Sequence, residues 1–441
     1  MKRKYHTLKL WTIIAIFAFC SLYIAPLASQ ASSFDVEAES AILVDFETGE
    51  VLFAKEADIS LPPASMTKMM TEYLVLEAIN NGDITWETTT EISDYAYSIS
   101  ANNNFSGVGL RQNVDYTVKD LYDAMVIYSD NATTIALAEL IAGSEGEFVK
   151  MMNAKAEELG LRDYEFVNST GLNNGSLGDN YPEGTDPEGE NLMSARDTAK
   201  LAYHLIKDYS EVLDVSSIPN KKFEGHSMDN WNWMLPEHDS QNFKQFSYEG
   251  LDGLKTGHTD LAGYTFTGTA ERDGQRLISV VMRTNSIEKR FTETAKLLDY
   301  GFNNFQSATL IEAGHQIENE STLPVAKGKE KAVQVEAGED LQQIIKDGEE
   351  ENYSVVYEFD EDVLNEDGTI EAPFEAGTEV GKVVLTYDGE EDFGHLIDGE
   401  EVSVPLVTSD GVEKSNWFVL MLQAVGDFFV DLFESIKGLF N

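Results

Sequence analysis

Leu61-Pro62-Pro63-Ala64-Ser65-Met66-Thr67-Lys68 is the stretch from which the rest of the chain is best read. It leads into an apolar-periodic segment, Met66 to Asn80, that reads as a helix ended by Asn81-Gly82. Residues three apart on a helix are neighbours at about 5–6 Å, so Lys68 reaches the Ser65 hydroxyl from the next turn. A serine is a weak nucleophile until a base takes its proton. By itself the pattern is not selective: a Ser-x-x-Lys tetrapeptide is expected by chance in 441 residues, and Ser286-Ile287-Glu288-Lys289 also matches.

Order and context narrow the choice. Ser-x-Asn occurs at Ser100, Ser129 and Ser240, but only Ser129-Asp130-Asn131 lies in a tight break between two apolar-periodic helices, about Val118 to Tyr128 and Ala132 to Ala142. Lys255-Thr256-Gly257 occurs once, followed by His258, on a strand ahead of a hairpin whose arms, Ala262 to Ala270 and Leu277 to Arg283, flank Arg272-Asp273-Gly274-Gln275. A first hairpin joins Ser40 to Phe46 with Val51 to Lys55, and Ser194 can cap a helix through Leu201 and Leu205. From Glu39 to about Gln306 the expectation is therefore one α/β (α+β) domain with an antiparallel sheet and a helical cluster. No His-Glu-x-x-His, Gly-x-Ser-x-Gly or P-loop pattern is present.

With these residues in this order, the chain resembles the serine-type D-Ala-D-Ala carboxypeptidases, the low-molecular-mass penicillin-binding proteins of the β-lactamase and transpeptidase superfamily. The resemblance extends to Asn168-Ser169-Thr170-Gly171-Leu172, to Leu192-Met193-Ser194-Ala195-Arg196-Asp197 and to Arg290-Phe291. It implies that Ser65 attacks the carbonyl between two D-alanines, that Lys68 accepts its proton and that an acyl-enzyme forms. A free lysine is protonated at neutral pH; burial and a second cation, with Lys255 the candidate, would lower its pKa. Ser129 would relay the proton to the leaving amine, and Asn131 would orient Lys68 or the substrate amide. The strand from Lys255 to His258 can pair with the peptide. By the same resemblance, the backbone N–H groups of Ser65 and His258 form an oxyanion hole, and Arg290 with Thr256 holds the substrate's terminal carboxylate. Gly257 belongs to the same substrate-binding set. Each side chain also has a plainer reading: Lys68 as a surface lysine, Ser129-Asp130-Asn131 as a helix cap, Arg290 as a structural ion pair.

The layout around this domain matches the resemblance. Residues 1–31 carry Lys2, Arg3, Lys4 and Lys9, an apolar run from Leu10 to Leu27 and the small-residue stretch Ala28-Ser29-Gln30-Ala31, the pattern of a secretory signal peptide, with an uncleaved anchor as the alternative. The catalytic domain is assigned to 32–308. From 309 to 410 short alternating strands separated by Asp-Gly and Ala-Gly turns predict a small all-β sandwich. Asn365-Glu366-Asp367-Gly368 reads as a hairpin turn, not a calcium loop. Residues 411–441 place Trp417, Phe418, Met421, Phe428, Phe429 and further apolar residues at helical spacing, with Asp427 and Asp431 on the opposing stripe. This favours a helix lying in the membrane interface over one that spans it. Packing on a neighbouring domain or a second copy is the alternative.

Composition sets the boundary conditions. With 78 Asp+Glu against 31 Lys+Arg the formal charge is −47, which excludes a general nucleic-acid binder. Loss of the leader removes four basic and no acidic residues, leaving 27 basic residues against 78 acidic ones, a net charge of −51. Residues 309–410 hold 28 acidic and five basic residues. Such a surface repels itself in dilute buffer and is screened in brine, where the Debye length at ~1 M salt is about 3 Å. The single cysteine, Cys20, excludes disulfides and multi-cysteine metal sites, and no cofactor or metal is expected. The expected partners are the peptidoglycan stem pentapeptide, β-lactams as covalent inhibitors and the outer face of the cytoplasmic membrane, reached by export. A β-lactamase is the nearest rival. Glu165 lies in the place of a deacylating base, but Asn168 is three residues on, where class A enzymes place the asparagine four on. A non-catalytic peptidoglycan-binding scaffold is the rival from another class.

Overall fold

The computed structural model describes residues 34–421 apart from 239, 318–319, 390–391 and 398–401. The expected leader and the segment after 421, which includes most of the expected amphipathic helix, lie outside the described residues. One sheet organises the first part of the chain. Strands β1 (Ser40–Asp45), β2 (Val51–Lys55), β3 (Leu251–Thr259), β4 (Gly263–Arg272) and β5 (Gln275–Thr284) form an antiparallel sheet in the order β2-β1-β5-β4-β3. The β4–β5 turn has Arg272 paired with Gln275, and Asp273 and Gly274 at φ 51° and 85°. Positive φ at both central residues is the I′ geometry whose twist matches that of the strands. β3 is an edge strand, so one of its sides has no sheet partner among the described residues.

Among the described residues, six helices of ten or more residues accompany the sheet: α1 (Lys68–Asn80), α2 (Val118–Tyr128), α3 (Asn131–Ala142), α4 (Glu145–Glu158), α5 (Ala195–Asp208) and α6 (Ile287–Asn304). α1 is buried nearly all round and packs against α2, α3, α4 and α5, the position of a core helix. It starts later than the apolar periodicity predicts, because residues Ala64–Thr67 form a 3₁₀ turn. Ala64 stands at φ 48°, and Met66 N–H donates to Pro63 O at 3.2 Å, three residues back. α2 and α3 meet in a two-residue break: Ser129 turns left-handed at φ 58°, and Asp130 caps α3 by accepting from Thr133 N–H at 2.8 Å.

The C-terminal part has its own apolar core, with Val335, Val380, Val383 and Leu406 at its centre. Its main sheet has six strands in the order Tyr353–Phe359, Glu379–Tyr387, Ser403–Thr408, Ala332–Ala337, Thr322–Ala326, Ile370–Glu371. The last two pair in parallel, so the sheet is mixed. A second antiparallel pair, Phe305–Ile311 with Leu341–Lys346, brings the start of β-structure to Phe305. Asn365 to Gly368 closes as a turn, with Gly368 N–H donating to Asn365 O at 2.8 Å. Val51 N–H donates to Gly394 O at 2.9 Å and Leu396 N–H to Gly49 O at 2.8 Å, so a C-terminal segment adds to the β1–β2 hairpin.

Candidate active site

Two glycines let the Ser65 turn sit against its neighbours. A Cβ on Gly257 would lie 2.6 Å from Pro63 O and 2.5 Å from Thr265 Oγ1; one on Gly171 would lie 1.9 Å from Ala64 O. Backbone therefore approaches backbone on both sides of Ser65. Ala64 and Ser129 both have positive φ, a conformation that costs a Cβ-bearing residue roughly 1–2 kcal/mol, and both sit at the reactive groups.

Ser65 is half-buried and lines a cleft of about 210 Å³ with Ser129, Thr256, Gly257, His258 and Arg290. Lys68, Asn131 and Lys255 are buried behind it. Lys68 Nζ lies 3.2 Å from Ser65 Oγ and donates to Asn131 Oδ1 at 2.9 Å and to Thr170 O at 2.8 Å. A neutral amine has two protons for those two acceptors and a lone pair left for the Ser65 hydroxyl. Burial and then the Lys255 ammonium push Lys68 well below the ordinary lysine range, while Asp130, Glu72 and Glu145 oppose the shift. Lys255 Nζ donates to Ser129 Oγ at 2.8 Å and is itself pushed down by burial, against the field of Glu72.

Arg290 is 3 % exposed and has no acidic partner among the described residues. Its Nη1 donates to Gly257 O at 3.1 Å, its Nε has no partner, and its guanidinium lies 4.7 Å from the Phe291 ring centre. The ion-pair reading of Arg290 is therefore not what the structure shows. A buried guanidinium without a counter-charge, opening on a cleft, can donate charge-assisted hydrogen bonds to an anionic group that enters it. The His258 imidazole stacks on Tyr264 at 4.1 Å and bonds Gly263 O at 2.8 Å, a structural role that leaves its backbone on the edge strand.

The decoys are accounted for. Ser286 caps α6 through Lys289 N–H at 3.2 Å, and Ser100 Oγ accepts from Leu110 N–H at 2.7 Å. Glu165 is exposed on a short strand paired with Leu192–Met193 and does not line the cleft. Sequence reading missed three contributors. Ser106 donates to Ser129 O at 2.7 Å and accepts from Asn131 Nδ2 at 3.2 Å, bracing both motif residues. Trp231 walls the cleft, with Nε1 donating to Tyr128 O at 3.2 Å. Glu72 is buried one turn beyond Lys68. Only Trp231 had a visible signal, the aromatic run Trp231-Asn232-Trp233 ahead of the Lys255 strand. A larger cavity, about 540 Å³, lies between β2 and the C-terminal sheet, but no serine lines it and its Lys346 pairs with Glu349. Among the described residues no group of three or more His, Cys, Asp or Glu is placed to hold a metal ion.

Comparison with known proteins gives the same direction. Residues 27–286 match the family model described as D-alanyl-D-alanine carboxypeptidase, and residues 305–414 match that of the penicillin-binding protein 5 C-terminal domain. The D-alanyl-D-alanine carboxypeptidase DacF of Bacillus subtilis is 30% identical over 97% of this chain and 99% of its own length. A peptidoglycan synthesis regulatory factor, PBP3, of Streptococcus pneumoniae is 38% identical with a TM-score of 0.71, covering 86% of this chain and all of the other. Penicillin-binding protein D2 of Listeria monocytogenes, solved with cefotaxime bound, is 32% identical with a TM-score of 0.52, covering 61% of this chain and 98% of the other. The chain belongs to the D-alanyl-D-alanine carboxypeptidase family and is a serine-type peptidase of the penicillin-binding protein class.

Proposed function

We propose that Ser65 is the nucleophile with which this D-alanyl-D-alanine carboxypeptidase removes the terminal D-alanine of peptidoglycan stem pentapeptides. The observation that carries the assignment is the Lys68 amine, buried and held between Ser65 Oγ, Asn131 Oδ1 and Thr170 O. Lys68 takes the Ser65 proton as Oγ bonds to the carbonyl carbon. The C–N bond then breaks, and the amine of D-alanine leaves with a proton delivered through Ser129, which Lys255 holds. Water hydrolyses the resulting ester and restores Ser65. Thr256 and Arg290 receive the substrate's carboxylate, and the open side of β3 receives its backbone. The N–H groups of Ser65 and His258 stabilise the oxyanion. A diacetylated Lys-D-Ala-D-Ala tripeptide tests this: wild type should release D-alanine and Ser65→Ala should not, whereas release undiminished in that variant would remove Ser65 from the reaction.

The same serine is the site for β-lactams, as the cefotaxime-bound Listeria relative suggests. Labelled penicillin should form a long-lived adduct that Ser65→Ala lacks; rapid turnover would point to a β-lactamase instead. The proposed layout is a leader over 1–31, a catalytic domain over 32–308, a β-domain over 309–410 and a membrane-associating segment over 411–441. Export would place the enzyme on the outer face of the cytoplasmic membrane. No helix among the described residues is long and apolar enough to cross a membrane, and the first residues of the last segment, Trp417, Phe418 and Met421, are exposed on a helical turn. Truncation after Asp410 should release the processed protein from membranes with activity intact; continued membrane association would contradict this.

A further inference from the structure

A base at position 68 must lack its third proton at neutral pH, and the surroundings contain a group suited to hold it. Glu72 follows Lys68 by four residues on α1, which puts both side chains on one helix face. It is 2 % exposed, and its Oε1 has no hydrogen-bond partner among the described residues. The other buried acids near the lysines differ. Asp130 accepts from Thr133 N–H and Val108 N–H at the head of α3. Glu145, at the head of α4, accepts from Ser169 N–H, the Ser169 hydroxyl and the Tyr95 hydroxyl. Hydrogen bonds of that kind favour a carboxylate over the acid, and the Glu72 Oε1 has none among the described residues.

The cations around Glu72 make their hydrogen bonds elsewhere. Lys68 bonds Ser65, Asn131 and Thr170, and Lys255 on β3 bonds Ser129 and the Thr256 carbonyl. From α2, the buried Tyr122 hydroxyl is also unpartnered among the described residues, and burial above all pushes that phenol up, with Glu211 and Asp123 adding to it. On α5, Asp208 takes the Tyr73 hydroxyl at 2.8 Å.

We propose that Glu72 holds the proton that Lys68 lacks in the resting enzyme. The inference rests on the Ser65–Lys68 reading above. Moving one proton between Lys68 and Glu72 leaves the net charge of Glu72, Lys68 and Lys255 unchanged. With the proton on Glu72, only Lys255 of these three groups is an ion; with it on Lys68, all three are. Desolvation of each ion costs several kcal/mol, so burial favours the arrangement with one. Consistently, burial raises the Glu72 carboxyl and lowers both lysines. Glu72 touches neither the cleft nor Ser65 and is a positioning residue, acting through the lysines.

Acylation by a labelled penicillin, followed from about pH 5 to pH 10, tests this on the full chain. The acid limb reports loss of the Lys68 proton, which takes place beside a neutral Glu72 if Glu72 holds its proton; the alkaline limb reports loss of the Lys255 proton, which an ionising Glu72 opposes. Glu72→Gln, itself neutral, should therefore leave the acid limb in place and move the alkaline limb to lower pH, by about one unit. Glu72→Met is neutral without adding a buried amide and should behave likewise, which covers a misfolded glutamine variant. An acid limb that moves to lower pH would show Glu72 ionised beside Lys68 and overturn the proposal, as would an alkaline limb that stays put, and either would leave the Ser65 assignment standing. A wild type that is not acylated at Ser65 would overturn both.

Discussion

In the body that holds Ser65, the charged residues Lys68, Glu72, Asp130, Glu145, Lys255 and Arg290 are all buried. Between 309 and 410 no described Asp, Glu, Lys or Arg is buried, although that segment holds 28 acidic residues and five basic ones. The acid-rich region keeps its charge in water and packs a Val- and Leu-rich core; the catalytic region takes a few charges out of water, where each shifts its neighbours' protonation. Charge density is thus a poor guide to where electrostatics matters. What matters is desolvation.

The largest effect expected is in the buried cluster. Lys68→Met should lower the Ser65 acylation rate by at least about 10³-fold while leaving the melting temperature high enough to assay, since removing a member of a nucleophile–base unit is about as damaging as removing the unit. A small loss would mean that the buried amine is not the base. Arg290→Gln comes next: kcat/KM for the tripeptide should fall on the order of 100-fold, the loss of a charge-assisted contact of about 1.5–3 kcal/mol. Equal kcat/KM in both proteins would place the carboxylate elsewhere. In the C-terminal core, Val335→Ala should cost about 1–3 kcal/mol of stability by denaturant unfolding yet leave the acylation rate unchanged, and a matching loss of rate would show that the two regions are coupled.

A subtler pH effect sits at the seam. Half-buried Glu50 has its carboxyl pushed up to about 8 by burial and by Asp45 and Asp392. An acid with a raised folded pKa binds its proton more tightly when folded, so its contribution declines as pH rises from the ordinary glutamate range to about 8. Glu50→Gln should therefore gain melting temperature relative to wild type across that window and stop gaining above it; a constant difference would contradict the shift. The smallest effect is expected from Glu361→Lys on the exposed C-terminal surface, within about 0.5 kcal/mol and vanishing in molar salt.

Much of the catalytic body was legible because it obeys local rules. The hairpin with Asp273-Gly274 and the two helices around Ser129-Asp130-Asn131 follow turn and capping chemistry readable in a short window. The C-terminal strands were less so. The parallel pairing of Thr322–Ala326 with Ile370–Glu371 joins segments too far apart in sequence for any local pattern to announce. The plain ion-pair reading of Arg290 gave way to a buried, unpaired guanidinium, because the identity of its neighbours depends on β3 and β4.

By itself the sequence determined the chemistry on offer: a serine and a lysine at helical spacing, a serine and an asparagine at a helix break, a lysine on a strand and a net acidic surface. Those are properties of residue type and short spacing. Only the tertiary structure decided that Lys68 is buried and stands 3.2 Å from Ser65 Oγ, that Lys255 on a distant strand lowers it, and that the Glu72 Oε1, on the same helix face, has no hydrogen-bond partner among the described residues. Protonation depends on desolvation and on charges within a few ångströms, and those distances are set by how α1 packs among the other helices.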